Sequence, residues 1–556
     1  MNFLGCRAVA AVAMLCISLP ALAQVPASQL PGVERQRFEE LPPPRAQPGG
    51  AVIKLPSTVA PEGADDIALV VRDVTIVGAT VYGRDQFVEL YRDLIGRPVK
   101  LTAVYEIAKR ITAKYGSDGY VLSRAIVPPQ QLPPGGASVT IQVVEGFVDK
   151  VEWPAELAKY RDFFSYYASQ IIADRPTNIR TIERYLLLAG DLPGLKFKNS
   201  LKASTSEPGA ATLVIEVEHK LFDANARIDN RGSKARGPLE YFTGVTLNNP
   251  FGLHDAFTLN YASAFQTREL QYLNANYRMV LTPEGLTAFV NASFSKGRPG
   301  TPDLQALDYR TKSLLVESGL SYPFIRQRER NLTLTGLIFA SDDRSDTNVA
   351  TPLTLDRQRG VRVKLDADAA DPLNAINQLN VVASQGINGL GAGHDGGIPS
   401  RVNGRLDFTK VEATFTRMQP LFERLSLLVA AYGQYAGKPL LASELCGYGG
   451  RAFGRAYDPS QLVADRCLEL LGELRLDVPH SFQDLSQAQL YAFADRGWLH
   501  NIAPDVRTPA SVDGASAGGG LRLGWRSLVT ADLSVAKAVA GPRDDWRYFF
   551  ILTGRY

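Results

Sequence analysis

The chain has 556 residues, a length that by the usual prior holds three or four domains. Its 60 Lys and Arg residues nearly balance its 57 Asp and Glu residues, so nothing in the charge favours a nucleic-acid partner. The five histidines are scattered without ligand spacing, and no Ser/His/Asp cluster or nucleotide-binding loop is found. We therefore expect no catalytic site, no metal centre and no cofactor.

Residues 1–23 have the layout of a cleaved secretory signal. Arg7 is their only charge, an apolar run covers residues 8–19, and Ala21-Leu22-Ala23 precedes Gln24. The apolar run is shorter than the roughly 18 residues that a spanning helix needs, and no later apolar segment reaches that length. The sequence predicts an exported chain that either dissolves or enters a membrane as a β-barrel.

Residues 24–220 divide into a linker and two small units. Residues 24–66 are rich in proline and predict an extended linker, in which residues 33–41 form a short helix. Residues 67–149 and 150–220 each show the order strand-helix-helix-strand-strand. A doubled α+β unit with an exposed sheet edge suits the binding of an extended peptide by strand addition. The alternative is a pair of spacers that only hold the next domain away from something.

Residues 221–556 alternate between apolar and polar residues and show almost no helical periodicity. A soluble sandwich also alternates, but recurrent charged faces, an exported chain and a last strand that ends on Tyr556 favour an outer-membrane barrel. At roughly 20 residues per strand with its connection, this segment predicts about 16 antiparallel strands around an aqueous lumen. Residues 341–360 and 386–403 are predicted to be outer loops.

Two segments of this barrel supply a cation and an anion. Residues 449–457 form a glycine-rich turn that contains Arg451, Arg455 and Tyr457, and residues 493–497 read Phe-Ala-Asp-Arg-Gly. Alternation places Asp495 on the lumen side of its strand. We therefore expect an arginine of the turn to form an ion pair with Asp495 inside the barrel, where an Arg–carboxylate pair is stronger than at the surface. The alternative is a pair that only stabilises the barrel.

The order of motifs along the chain resembles that of the outer-membrane transporters of two-partner secretion systems, the haemolysin-activator and filamentous-haemagglutinin transporter family. The resemblance covers essentially the whole mature chain. It implies two polypeptide-transport-associated (POTRA) domains followed by the barrel. The segments that carry it are residues 124–128 with Gln130, 144–146, 186–194, 229–233 and 248–252.

In this family a Val-Arg-Gly-Tyr/Phe motif lies on a long loop that folds back into the barrel. Here Gly454-Arg455-Ala456-Tyr457 stands in its place, with Gly454 for Val and Ala456 for Gly. The aromatic residue after Ala456 selects Arg455 over Arg451. The family's partner motif on a barrel strand matches residues 493–497. The resemblance implies a loop–barrel clasp, consisting of Arg455, Tyr457, Phe493, Asp495 and Gly497.

Two cysteines remain once the predicted signal, with Cys6 and Cys16, is removed. Cys446 and Cys467 bracket the loop that carries the arginine motif. In an exported protein a pair of cysteines favours a disulfide over a metal site. If the loop is a returning hairpin, both lie near its base, and we predict that they are bonded.

The resemblance also implies a function. A transporter of this family exports a large unfolded exoprotein, of haemolysin or adhesin type, from the periplasm to the cell surface, with POTRA domains in the periplasm that bind the cargo. Residues 33–41 resemble the family's plug helix, which rests in the lumen. The barrel would sit in outer-membrane lipid after insertion by the barrel-assembly machinery. The alternatives are an assembly factor of the same superfamily, which often has more POTRA units, and a passive porin, which has none.

Overall fold

A computed structural model of the chain describes residues 25–38, 43–49, 59–133, 135–505 and 508–556. The predicted signal at residues 1–23 lies outside the described residues, as do parts of the proline-rich linker. The described chain forms two small sheets with helices packed on them, followed by one closed barrel.

The first α+β unit packs one long helix on a four-stranded sheet of order β2-β1-β4-β3, in which β1 and β4 run parallel. The long helix buries side chains spaced three and four residues apart, among them Val104, Ile107 and Ile111, as its apolar periodicity predicts. A short α-helix and a 3-10 turn at Arg92–Leu94 connect β1 to β2. The elements are β1 (Ala68–Val77), α1 (Asp85–Val88), β2 (Pro98–Lys100), α2 (Leu101–Ser117), β3 (Arg124–Ile126) and β4 (Ala137–Val144).

The second α+β unit packs two helices on a three-stranded sheet of order β5-β7-β6, in which β5 and β7 run parallel. Its second helix begins at a capped end, because the side-chain oxygen of Asn178 accepts a hydrogen bond from the N–H of Arg180 at 3.1 Å. In this sheet β6 is an edge strand of nine residues. The elements are β5 (Phe147–Glu152), α3 (Arg161–Ala173), α4 (Ile179–Gly190), β6 (Leu195–Ala203) and β7 (Ala210–His219).

The barrel has 16 strands, all paired antiparallel, and closes between its first and last strands, where Ile551 pairs with Asp229 and Arg555 with Asn225. This confirms the predicted fold. Among the described residues, no helix is long and apolar enough to cross a membrane. The barrel strands are β8 (Phe222–Asp229), β9 (Glu240–Asn248), β10 (Asp255–Ala264), β11 (Gln271–Val280), β12 (Thr287–Gly297), β13 (Arg310–Arg326), β14 (Arg330–Asp346), β15 (Thr354–Ala370), β16 (Ile376–Gly386), β17 (Thr409–Pro420), β18 (Leu425–Ala436), β21 (Arg466–Asp477), β22 (Leu485–His500), β23 (Ser511–Trp525), β24 (Val529–Ala540) and β25 (Trp546–Arg555); β19 (Cys446–Tyr448) and β20 (Leu462–Ala464) form a separate hairpin, and a short helix α5 (Pro302–Ala306) precedes β13.

Strands β14 and β15 are longer than the sequence predicted. Residues 341–346 and 354–360, predicted as parts of an outer loop, belong to these strands, and only residues 347–353 connect them. The physical reason is that the polar side chains point into the barrel and bond one another there. The hydroxyl of Ser341 donates to Asp343 at 2.8 Å, and the hydroxyls of Ser345 and Thr354 lie 2.6 Å apart.

The second α+β unit rests on three turns at one end of the barrel, which we call the proximal end; the opposite end is the distal end. The amide of Asn249 donates to the hydroxyl of Tyr160, and the guanidinium of Arg326 donates to both oxygens of Asp191 at 2.7 and 2.9 Å. The carboxylate of Glu284 receives hydrogen bonds from Arg184, Tyr166 and Tyr185 at 2.6, 2.8 and 3.0 Å. These turns all belong to the first half of the barrel, so the unit stands over one side of the proximal mouth.

Residues 25–38 lie inside the barrel. Val25, Leu30 and Val33 are buried in an apolar cluster with lumen-facing side chains such as Leu337 and Phe339. The helix predicted at residues 33–41 is a 3-10 helix at Val33–Phe38, and residues 39–42 lie outside the described residues. Six residues are too few for a self-sustaining α-helix, so packing against the wall decides the local winding.

Farther along, the chain reaches the proximal mouth. There the N–H of Ala46 donates to Asp368 at 2.5 Å, and the N–H of Gln47 donates to the carbonyl of Arg328 at 2.8 Å. The N-terminal segment, residues 25–49 as far as they are described, therefore extends from the interior to the proximal end.

The contacts of Glu284 predict a pH-dependent docking of the second unit. Burial alone would raise the pKa of Glu284, but hydrogen bonds from Arg184, Tyr166 and Tyr185 outweigh it and lower the pKa below the usual 4.5. The stabilisation is therefore complete above pH 4.5 and is lost as the pH falls through the lowered value. The protection factors of α4 amides, which are corrected for the pH dependence of intrinsic exchange, should fall over that range, and Glu284→Gln should lower them already at pH 7. The exposed Glu216→Gln is the control, and unchanged exchange in Glu284→Gln would contradict the assignment.

Candidate functional site

The connection between β18 and β21 turns back into the barrel as the hairpin β19–β20, with Cys446 opposite Ala464 and Tyr448 opposite Leu462. A disulfide joins Cys446 to Cys467, whose Cα atoms are 6.5 Å apart. Since Cys467 belongs to barrel strand β21, the bond attaches the hairpin to the wall. The structure thus contains the disulfide that the spacing predicted.

A buried ion pair holds the same loop at its base. Arg401 and Asp465 are both almost fully buried, with 2.6 Å between guanidinium and carboxylate. Asp465 also accepts the N–H groups of Leu440 and Ile502 at 2.7 and 2.9 Å. A charge pair so far from water is stable only when further hydrogen bonds satisfy it, and these backbone groups supply them. The sequence carried no signal for this pair, because Arg401 comes from a different distal connection.

Asp495 receives the tip of the hairpin loop. Its carboxylate accepts the backbone N–H groups of Gly454 and Arg455 at 3.0 and 3.4 Å. It also accepts the hydroxyls of Tyr448 at 2.5 Å and Ser516 at 2.7 Å. The loop–barrel contact predicted for Asp495 therefore exists, and hydrogen bonds from backbone and hydroxyl groups make it.

The expected ion pair between Arg455 and Asp495 is wrong in its partner. The guanidinium of Arg455 pairs with Glu473 on β21 and lies 4.5 Å from the ring centroid of Phe493. The reason is geometric. The backbone N–H groups of the tip lie against Asp495. The side chain of Arg455 therefore extends beyond that carboxylate, over the ring of Phe493, to Glu473 on the neighbouring strand. The sequence analysis did not identify Glu473 as the partner.

Glu473 forms ion pairs with three arginines. Besides Arg455, it binds Arg475 at 2.6 Å and Arg522 at 2.8 Å. Arg522 in turn lies over the ring of Tyr491, 3.9 Å from its centroid. One buried carboxylate shared by three guanidinium groups leaves an excess of positive charge, so removal of Glu473 would leave several cations uncompensated.

Gly497 and Gly514 make room for an aromatic ring. These two glycines face each other across β22 and β23. A Cβ atom on Gly497 would collide with the ring of Tyr448, and one on Gly514 would lie 2.8 Å from it. Tyr457 packs beside that ring at a centroid distance of 5.3 Å, and its hydroxyl donates to the carbonyl of Ala540. The glycine of the strand motif is thus required by the close approach of the hairpin.

Gly454, at the tip of the loop, has a left-handed backbone conformation with a φ of +64°. A Cβ there would lie 2.7 Å from the nitrogen of Gly449. Ala456 is buried and is not among the residues with positive φ. Both departures from the family motif therefore fit this backbone, because glycine stands where φ is positive and alanine where it is not.

Arg231 adds a contact from the start of the barrel that sequence reasoning missed. Its guanidinium donates to the carbonyl of Arg455 at 2.7 Å and lies 3.8 Å from the ring centroid of Phe549 on β25. The signal was available, since Arg231 lies in the 229–233 motif. In the part of the chain that the structure describes, no group of three His, Cys, Asp or Glu residues is placed to hold a metal ion.

A sequence profile described as "Haemolysin secretion/activation protein ShlB/FhaC/HecB" matches residues 209–523, which is more than half of the chain. The chain belongs to this family. A second profile, described as "POTRA domain, ShlB-type", matches residues 69–146 and so identifies the first α+β unit.

Named relatives match over most of their length. The chain is 22% identical over 476 residues to the outer membrane transporter CdiB of Dickeya dadantii, covering 82% of this chain and 81% of the relative. It is 25% identical over 447 residues to the hemolysin transporter protein ShlB of Serratia marcescens, covering 78% and 75%. The solved structure of CdiB from Escherichia coli matches with a TM-score of 0.68 at 20% identity, over 90% of this chain and 94% of that chain. The structural likeness shows the fold, and with the family it implies an outer-membrane protein.

The ring pocket predicts that Gly497→Ala releases the hairpin. The added methyl group must displace Tyr448, and with it a hydrogen bond to Asp495. Trypsin should then cut the folded protein within the 449–461 tip several-fold faster than in the wild type. Gly472→Ala is the control, because a Cβ at Gly472 meets no atom within 4 Å. Equal resistance of both variants would contradict the role of the ring contact.

Proposed function

We propose that this protein exports a large unfolded exoprotein across the outer membrane. The observation that carries the proposal is a closed 16-strand barrel, in a member of a secretion family, whose lumen contains a clasped hairpin and an N-terminal segment. Two relatives that the chain matches over 81% and 75% of their length are named an outer membrane transporter and a hemolysin transporter protein. Nothing in this arrangement calls for catalysis, and we assign the protein no enzymatic role.

The α+β units lie in the periplasm in this proposal and bind the exoprotein as it arrives. Orientation is supported by the direct passage from β7 into β8 and by the three proximal turns that the second unit contacts. Strand β6 provides an edge of nine residues for strand addition. Domain boundaries at residues 67–149, 150–220 and 221–556 are proposed on the same grounds, and insertion by the barrel-assembly machinery is proposed from the barrel itself.

The loop–barrel clasp keeps the barrel competent for export. The clasp joins the tip of the hairpin loop to Glu473 on β21 and to Asp495 on β22, and Ser516 on β23 donates a hydrogen bond to the same Asp495 carboxylate. A loop in this position defines the free cross-section of the lumen, so its loss is expected to block or misdirect the exoprotein while the outer wall remains intact.

Asp495→Ala tests the clasp in export. The change leaves two backbone N–H groups and two hydroxyls without their acceptor, each at a cost of about 1–3 kcal/mol if it stays buried. We expect at least a tenfold loss of exoprotein from the medium, with normal amounts of heat-modifiable barrel in the outer membrane. Asp513→Ala removes an outward-facing carboxylate of the same wall, paired with Arg496, and should export normally. Normal export by Asp495→Ala would overturn the functional role of the clasp.

The N-terminal segment acts as a plug at rest. Its Gln29 is held by Arg236, which donates to the side-chain oxygen at 2.8 Å and to the carbonyl at 3.1 Å. Tyr309 donates to the same carbonyl at 3.2 Å. These contacts fix the middle of the segment against the wall of the lumen.

Loss of these contacts should open the channel. The double variant Gln29→Ala with Arg236→Ala should show several-fold higher mean conductance in planar bilayers, because the segment leaves the lumen more often. Arg496→Ala, on the outer surface, is the control. Conductance equal to the wild type would contradict the plug.

Assembly of other barrels is the second candidate function for a POTRA-plus-barrel chain. The family match favours export over assembly, and the two α+β units disfavour a passive porin. One experiment distinguishes export from barrel assembly. Deletion of the gene should abolish surface delivery of one exoprotein and leave the levels of other outer-membrane barrels unchanged.

A further inference from the structure

The outward face of the barrel carries a row of three cations near its distal end. Lys296 on β12 stands directly opposite Lys312 on β13, and Lys312 stands directly opposite Arg344 on β14. Alternation puts all three side chains outside the barrel, because their sequence neighbours on β12, β13 and β14 are buried toward the lumen. Adjacent strands are about 4.8 Å apart, so the three charges span about 10 Å.

Two of the three cations in the row have no counter-ion among the described residues. Arg344 pairs with Asp346 at 2.8 Å. In contrast, neither Lys296 nor Lys312 makes a hydrogen bond or ion pair to any described residue. Like charges directly opposite each other across two strands destabilise the sheet unless an anion lies between them. The arrangement therefore has a place for an external anion that touches both lysines.

Apolar side chains begin directly below the two lysines, whereas on β14 the residue below Arg344 is Asp342, which pairs with Arg359 at 2.8 Å. Phe294 and Leu314, two residues from the lysines, face each other across β12 and β13, and Val316 and Ile338 continue the outward surface. These four side chains are 37–64% exposed, as expected for a surface that meets acyl chains. The cations thus lie at the border between the apolar band and the distal end, where a lipid headgroup meets its chains.

We propose that this row binds the phosphate groups of lipopolysaccharide in the outer leaflet. The ligand must place a phosphate within reach of two lysine ammonium groups and acyl chains against Phe294 and Leu314, and the phosphorylated, acylated sugar of lipopolysaccharide has that chemistry. Ammonium–phosphate contacts are charge-assisted and stronger than neutral hydrogen bonds. The assignment of the distal end to the outer leaflet rests on the proposed orientation.

The test measures stabilisation of the full mature chain in detergent by added lipopolysaccharide, read as the temperature at which heat-modifiable migration is lost. A ligand that binds only the folded barrel raises this temperature, and we expect a rise of a few degrees for the wild type. The Lys296→Gln, Lys312→Gln double variant should lose most of the rise. Lys312→Arg retains the charge and should keep it. Lys109→Gln with Lys202→Gln makes the same charge change on the α+β units and should keep it as well.

Three outcomes overturn the proposal: an undiminished rise in the Lys296→Gln, Lys312→Gln variant, an equal rise with dephosphorylated lipopolysaccharide, or an equal rise with phosphatidylglycerol. The last outcome would mean a general anionic-lipid surface. Export is measured separately in cells, so failure of lipid binding and failure of the transport function are distinguishable. A wild type that binds lipopolysaccharide but exports nothing would leave the lipid site in place and refute the transport role.

Discussion

The carboxylate of Asp495 is the acceptor on which the arrangement inside the barrel depends. It bonds the backbone of the hairpin tip at Gly454 and Arg455, and the hydroxyls of Tyr448 and Ser516. A buried donor that loses its partner costs about 1–3 kcal/mol, so the tip can leave the wall only if these donors find other acceptors together. Displacement of the tip is therefore cooperative. The glycines around Tyr448 serve the same contact, since they allow the hairpin to approach closely.

Two segments occupy the lumen, and they are attached in different ways. The hairpin is fixed by a disulfide at Cys446, by the buried pair of Arg401 with Asp465 and by the contacts of its tip. The N-terminal segment is held by hydrogen bonds from Arg236, by an ion pair of Arg37 with Glu240 and by apolar packing. Release of the N-terminal segment would therefore break no covalent bond, whereas complete release of the hairpin from the wall would require reduction of the disulfide.

The outer wall and the inner wall follow different chemistry along the same strands. Inward positions carry charged and hydroxyl side chains that bond one another, which is why β14 and β15 continue through stretches that read as loops. Outward positions carry apolar side chains and end in cations such as Lys296 and Lys312. Period-two alternation encodes both walls at once, because successive side chains of a strand point to opposite faces.

The sequence alone predicted the fold and the members of the site, because alternation, helical spacing and motifs are local patterns. Alternation predicted the barrel, the length of the alternating segment predicted about 16 strands, and helical spacing predicted α2. The motif order selected Arg455 and Asp495 as members of one site. Only the tertiary structure decided which atoms meet. The guanidinium of Arg455 binds Glu473 instead of Asp495, because backbone N–H groups of the tip already occupy the Asp495 carboxylate. Arg401 binds Asp465, and Arg231, which follows the first barrel strand, bonds the hairpin tip near the seam where the first and last strands pair. Such pairings depend on how distant strands close into a ring, and no local pattern records that distance.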